Sequence, residues 1–288
     1  MKQYQNALLA ALAFGVAPSA MADTSAPVKI AYKFKVGDDF TYKVQTTTSA
    51  TLGIDILNAS VPIETSTTIV DHVKVVDVRP DGVAELKVTA VSGSQTAAGQ
   101  STDLPQAMLD AESASLLVRP NGTIAQSRTP DGITMKIPWL GFLGSGVLGL
   151  TGYLPPTPAK VGTIWHNVIK NNISNVEMRS AVTGIDTSGP TPLTQIRHVS
   201  KGKLAESHAY AGDKMLVFAG IAELDEMKFD NALGKLISCD TKIREKAVVG
   251  GNMKFQGNGM KKTVTVSADI GIQVTLVDGS DAADPTPQ

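Results

Sequence analysis

Acid–base or metal chemistry in this chain would have to come from its carboxylates and its four histidines, His72, His166, His198 and His208. None stands at metal-ligand spacing from another His or a Cys, and carboxylates lie close only in Asp71-His72 and Glu206-x-His208. Adjacent residues on a strand point to opposite faces, so Asp71 and His72 cannot hold one ion. Glu206 and His208 would share a face, the one local carboxylate–imidazole pair suited to such a role; an exposed polar pair is the competing reading. The acidic run Glu223, Asp225 and Glu226 reads as a solvated strand edge. Gly144-Ser145-Gly146-Val147-Leu148-Gly149 spells a dinucleotide fingerprint, but Pro155-Pro156 would cut the required helix short and the next acid is Glu177. No nucleophile elbow occurs around Ser145, and Gly202-Lys203 and Gly234-Lys235 are followed by Leu, which excludes a P-loop. No catalytic residue, metal site or cofactor is expected, and the chain is not expected to be an enzyme.

The segment whose chemistry stands out is apolar. Ile137–Ala159 contains no charged residue and no His. Its length alone would suit a membrane helix, yet five Gly between Gly141 and Gly152, with Pro138, Pro155 and Pro156, oppose one. Gly141, Ser145 and Gly149 do match the small-xxx-small spacing of close helix contacts. A flap over a cavity, a docking patch for a membrane or partner, and a true span are the three readings. The first makes Trp139, Leu140, Phe142, Leu143, Val147, Leu148, Leu150 and Tyr153 the expected ligand-binding residues.

The 288 residues carry 26 Lys+Arg against 27 Asp+Glu, a balance without the basic footprint of a nucleic-acid binder. Lys2, the apolar run Ala7–Val16 and the small-x-small stretch Ser19-Ala20-Met21-Ala22 have the form of a cleaved leader. Its apolar run is too short to span a bilayer, and no Cys near the cleavage site allows a lipid anchor. A periplasmic or secreted protein without a stable transmembrane anchor is expected. Its single Cys239 excludes an internal disulfide and reads as a buried small hydrophobe sharing a strand face with Ile237, Thr241 and Ile243. The triplets at Asn58, Asn121 and Asn172 would be glycosylated only on a eukaryotic route, which the short leader opposes.

Period-two alternation dominates the rest and predicts strands: Val28–Val36, Phe40–Val44, Leu52–Ile56, Ile63–Val78 with a bulge near Ile69-Val70, and Val83–Val91. Val264–Leu276 keeps one apolar phase for thirteen residues, which suits a large curved sheet. Pro-Asp/Asn-Gly turns at Pro80–Gly82, Pro120–Gly122 and Pro130–Gly132 predict antiparallel hairpins. One short helix is expected in Leu104–Ser113, Ser92–Asp103 reads as a loop, and Met215–Glu226 fits helix or strand. Lys35-Val36-Gly37 and Lys160-Val161-Gly162 each stand three residues ahead of an aromatic, an echo that suggests two related lobes. The fold class expected is mainly β: a long curved antiparallel sheet, as a half-barrel or two lobes, with one or two short helices. The expected division is a leader (1–22), a first lobe (23–136), an apolar flap or linker (137–159), a second lobe (160–279) and a disordered tail (280–288).

Tyr32–Tyr42, Pro80–Gly82, Pro155–Trp165 and Phe229-Asp230…Gly234-Lys235-Leu236 together resemble exported bacterial β-rich proteins with the layout of LolA/LppX-like periplasmic half-barrels. That resemblance implies carriage of a lipid or acyl chain in a hydrophobic concavity. The chain departs from those proteins in lacking a lipid-attachment Cys and in having little helix for a lid. The expected partner is therefore a lipid or other hydrophobic ligand, or an envelope protein; the alternative is a structural or adhesion module that docks through the apolar segment. For the compartment, N-terminal sequencing of protein recovered from the periplasm is expected to begin at Asp23; an intact Met1 in the cytosol would defeat the export reading.

Overall fold

Alternating side chains that bury one face and wet the other build almost the whole structure. The computed structural model describes residues 26–54, 59–128, 134–135, 154–170, 174–210, 213–255 and 258–277. The leader, the eight expected ligand-binding residues, the turn at Pro130–Gly132 and the tail lie outside the described residues, as do Asn58 and Asn172. The first half forms β1 (Asp39–Ile54), β2 (Ala59–Val78), β3 (Ala84–Ala97), β4 (Gln100–Asp103), the helix α1 (Gln106–Glu112), β5 (Ala114–Val118), β6 (Ile124–Arg128) and β7 (Thr134–Met135). The second half forms β8 (Ile164–Lys170), β9 (Ser174–Asp186), β10 (Leu193–Tyr210), β11 (Asp213–Asp230), β12 (Lys235–Phe255) and β13 (Asn258–Val277).

All belong to one antiparallel sheet of 13 strands, in the order β7-β6-β5-β3-β2-β1-β13-β12-β11-β10-β9-β8, with β4 paired to β3 off this path. Each half is a meander, and the first strand of one joins the last strand of the other along β1·β13, from Thr41↔Val277 to Ile54↔Val264. Among the described residues, the ends of the path, β7 and β8, pair only with β6 and β9, so the sheet is open rather than a closed barrel.

The sheet curls, and the extended segment ahead of β1 shows how far. Tyr32 N–H donates to Pro120 O in the β5–β6 turn at 2.8 Å, and Lys33 N–H donates to Gly234 O in the β11–β12 turn at 3.2 Å. Five inter-strand steps separate β5 from β12 along the path, about 24 Å on a flat sheet. Adjacent residues can bond both turns only if the sheet rolls around them. Ile30 and Tyr32 fill the roll, with Tyr32 stacked on Phe34 and edge-on to Phe229, both at 5.2 Å between centroids. Tyr42, Val73, Val75, Leu86, Phe229 and Leu236 close the same core from the surrounding strands. The core therefore lies at one end of the roll, where the turns gather, and the long strands run out from it.

Val28–Val36 alternates as the sequence leads one to expect, yet it is no strand of the sheet. Its backbone donors go to separate turns rather than to one neighbouring strand, and only Val28 makes an isolated bridge, to Ala159. Ser92–Asp103 is a hairpin and not a loop: β3 runs on to Ala97, and Ala98-Gly99 turn with φ of 50° and 77° into β4. Asp213–Asp230 is strand throughout. The bulge expected near Val70 is present between Val70 and Asp71, and the turns at Pro80–Gly82 and Pro120–Gly122 form with Gly N–H to Arg79 O and Arg119 O. Helix α1 lies where expected; it packs over Gly93, which the register aligns with Ile69 and Val44 on the concave face.

The Lys-Val-Gly echo is a repeated turn. Gly37 and Gly162 take φ of 87° and 86°. Gly37 N–H donates to Val75 O, and Val75 N–H to Asp38 O; Gly162 N–H donates to Val182 O, and Val182 N–H to Thr163 O. In both, the Lys N–H is capped by the side chain three residues on, Asp38 or Thr163. Each turn enters the first strand of a meander.

Gly234 tests how strongly the buried segment holds the roll. A Cβ there would meet Lys33 N at 2.6 Å, whereas one on Gly37 meets nothing within 4 Å, although both have positive φ. Gly37→Ala is expected to cost about 1 kcal/mol from backbone strain, and Gly234→Ala roughly twice that or more because it also pushes the segment away. Urea midpoints measure both; equal costs would show that the contact contributes nothing.

Candidate functional site

Beyond the apolar core, the concave face of the second meander carries a polar rung. The register places Ser180 of β9, His198 of β10, Asp225 of β11 and Thr241 of β12 directly across from one another. One rung further, Ser200 faces Glu223, flanked by Met178 and Ile243. On the core side lie Val182, Ile196, Met227 and Cys239. These positions share the inward phase of the alternation, so the same pattern that buries Ile196 and Met227 also buries His198, at 4% exposure, and Asp225, at 7%.

Each ionisable side chain in the group is held by a hydroxyl from a neighbouring strand. Ser180 Oγ lies 2.7 Å from His198 Nδ1, Ser200 Oγ donates to Glu223 Oε2 at 2.6 Å, and Thr241 Oγ1 donates to Asp225 Oδ1 at 2.7 Å. Glu223 Oε1 is buried and accepts no hydrogen bond. Burial lowers the His198 pKa from 6.5 to about 4, so the imidazole is neutral at pH 7. Burial raises Asp225 well above the carboxylate range, helped by the nearby Glu223, and it raises Glu223 against the pull of the Ser200 hydroxyl. One nitrogen of His198 and one oxygen from each carboxylate lie within 4.8 Å of one another. A neutral imidazole beside two carboxyl groups can bind a cation or share protons.

The acidic run thus splits between faces. Glu226 points outward to Arg197 at 2.7 Å, while Glu223 and Asp225 turn inward, which corrects the reading of all three as a solvated edge. The spacing rule missed the group because His198 meets Glu223 and Asp225 across strands, not along one. A signal was present: Glu223 and Asp225 continue the phase of Met227 and Phe229. Asp71 and His72 do face opposite sides, Asp71 buried and His72 paired outward with Asp39. The side chains of Glu206 and His208 lie outside the described residues, and His166 is exposed. Cys239 is buried beside Thr241 Oγ1 at 3.5 Å, and burial pushes its thiol pKa up, as a small core residue requires. Thr241 and Ile243 share its face, but Ile237 does not: a bulge opposite Lys228/Phe229 shifts it out of phase.

Further along the strands the concave face turns apolar again. The register aligns Val61, Leu52, Val266 and Ala247 in one rung, and Ile63, Ala50, Ala268, Glu245 and Ile221 in another. Val61 is 44% and Ile63 40% exposed. The convex side of these strands presents Thr47, Ser49, Thr51, Thr265, Ser267 and Arg244 instead. Contacts between elements run chiefly between sheet neighbours and from α1 to β3.

No family model matches this chain, and no curated protein matches it. Among solved structures it is similar to lipovitellin, described for its lipid–protein interactions, with a TM-score of 0.47 and 10% identity over 85% of this chain. The chain spans 26% of that protein's length. It is also similar to OccD3 (OpdP) of Pseudomonas aeruginosa, with a TM-score of 0.25 and 7% identity over 88% of this chain and 96% of that one. OmpT, an outer membrane protein of Vibrio cholerae, aligns with a TM-score of 0.21 and 10% identity over 84% of this chain and 100% of that one. Among the described residues, no helix is long and apolar enough to cross a membrane.

Glu245 sits in an otherwise apolar rung, and burial raises its pKa above 4.5. The native state then binds its proton more tightly than the unfolded chain, so stability is full below 4.5 and is lost as pH rises through the folded value. Glu245→Gln is expected to raise the melting temperature at pH 7 and to lose most of that gain at pH 4. A gain that does not depend on pH would show that Glu245 is not desolvated.

Proposed function

We propose that the protein is an exported, non-enzymatic carrier that binds a hydrophobic ligand, a lipid or acyl chain, along the concave face of its sheet. The observation that carries this reading is the apolar inner face beyond the core. Leu52, Val61, Ile63 and Val266 point inward, as core residues do, yet Leu52 and Val266 are only partly buried and Val61 and Ile63 are exposed, while the opposite face of the same strands is polar. An apolar surface on the inside of a curl gains by covering, at about 25 cal/mol per Å² removed from water. The LolA/LppX-like resemblance implies the same kind of ligand. In this reading the leader ends at Ala22 and the mature chain acts in the periplasm, with the apolar residues of Ile137–Leu154 contributing to the ligand contact.

A structural or interaction module is the second reading, and the open strand β8 favours it. Ile164 and Val168 are 47% and 59% exposed on that edge strand, where a partner strand could add. The two readings separate in one experiment. Mature protein is examined by native mass spectrometry with lipid extraction, then titrated with a fluorescent fatty acid. Leu52→Asp with Val266→Asp is expected to weaken binding more than tenfold, since each lost apolar contact is worth on the order of 2 kcal/mol. Wild-type protein that takes up no acyl ligand would end the carrier reading; a co-purifying protein lost on substituting Ile164 and Val168 would support the module.

A further inference from the structure

The cluster of His198, Glu223 and Asp225 carries more than structural satisfaction explains. Two carboxyl groups and an imidazole crowd together on two adjacent strands, His198 and Asp225 buried and Glu223 half-buried, a costly arrangement for carboxylates unless a cation compensates the charge. The ion-paired basic side chains on these strands do not supply it. Arg197 pairs with Glu226, Lys228 with Asp186 at 2.8 Å, and Arg244 with Asp269 at 2.7 Å, all from the opposite phase of the alternation. Inward neighbours of the group are Ile196, Met227, Cys239, Ile243 and Ile221, none of them cationic.

We propose that His198, Glu223 and Asp225 form a binding site for a divalent transition metal of the zinc type on the concave face. The donor set, one imidazole nitrogen and two carboxylate oxygens, is that of a three-ligand site with a position left open. Metal bonds of about 2.1 Å put tetrahedral ligands about 3.4 Å apart, so small side-chain rotations bring atoms now within 4.8 Å onto one ion. The hydroxyls behind the ligands act as an orienting shell: Ser200 holds Glu223 by Oε2 and leaves buried Oε1 without a hydrogen bond. Thr241 holds Asp225, and Ser180 holds the His198 ring at Nδ1. This site does not rest on the carrier reading.

The test uses the full mature chain stripped with EDTA and titrated with Zn²⁺ alone by calorimetry at neutral pH, alongside melting curves with and without the ion. One ion per chain and a rise in melting temperature are expected. Glu223→Gln and His198→Gln each remove a ligand and are expected to weaken binding by 100-fold or more, whereas Ser180→Ala, which leaves every ligand in place, is expected to cost about 10- to 100-fold. Circular dichroism establishes that each variant keeps its strand content; should a ligand variant fail to fold, Ser180→Ala decides. Absence of Zn²⁺ binding to wild-type protein would overturn the site. So would binding that survives Glu223→Gln and Ser180→Ala undiminished, because the ion would then sit elsewhere.

Discussion

The fold depends on one extended stretch of chain filling the inside of a rolled sheet. Ile30 and Tyr32 are held between turns that belong to opposite meanders, with Tyr32 N–H donating to Pro120 O and Lys33 N–H to Gly234 O. Without that filling, β1 and β13 could still pair, but nothing would oblige the outer strands of either half to bend toward each other. The β11–β12 turn is built to receive the segment. Buried Asp230 accepts the N–H groups of Ala232 and Leu233, Gly234 N–H returns to Asp230 O, and Lys33 Nζ bonds Asn231 O. Tyr42 O–H adds a bond to Leu236 O, linking β1 to the start of β12 across the same core.

Packing at one end sets the gradient along the concave face. Near the turns the inward residues are large, apolar and fully buried. Next comes the band of hydroxyls, His198 and the two carboxyl groups, and after it the small and branched apolar residues of the long strand ends. A sheet whose only task was to bury a core would have no use for the middle band. Its polar groups forgo water and are held by hydroxyls from neighbouring strands, and leaving a buried carboxylate oxygen unbonded costs on the order of 1–3 kcal/mol.

Fold class was legible because a single rule, alternation bounded by Pro-Asp/Asn-Gly turns, governs most of the chain. It failed where alternation serves another purpose. Val28–Val36 alternates because Ile30, Tyr32 and Phe34 face the core while Lys29, Lys33 and Lys35 face water, although its backbone bonds turns rather than a sheet neighbour. Ser92–Asp103 hid a hairpin because its strands are made of small polar residues that carry no hydrophobic phase. The polar rung was illegible for a different reason: His198 lies opposite Asp225 only after the β10–β11 register is fixed, and the Lys228/Phe229 bulge shifts the phase of β12 against it. Reading the inward phase back from Phe229 would have turned Asp225 and Glu223 inward; pairing them with His198 still required the fold.

Among the described residues, the up-and-down sheet whose two halves join at β1·β13 ends at β7 and β8, which do not pair with each other. The seam between them is nonetheless bridged near the core. Leu154 N–H bonds Asn121 O at 2.9 Å, and Val28 and Ala159 exchange both of their backbone hydrogen bonds, tying the chain ahead of β8 to the β5–β6 turn and to the buried segment. The roll is therefore held at the end where the core lies, and whatever opening the seam leaves is directed toward the long strand ends. A concavity shut at its base suits a slender apolar chain entering lengthwise better than a broad, flat molecule, and that is the shape of ligand the proposed carrier would take.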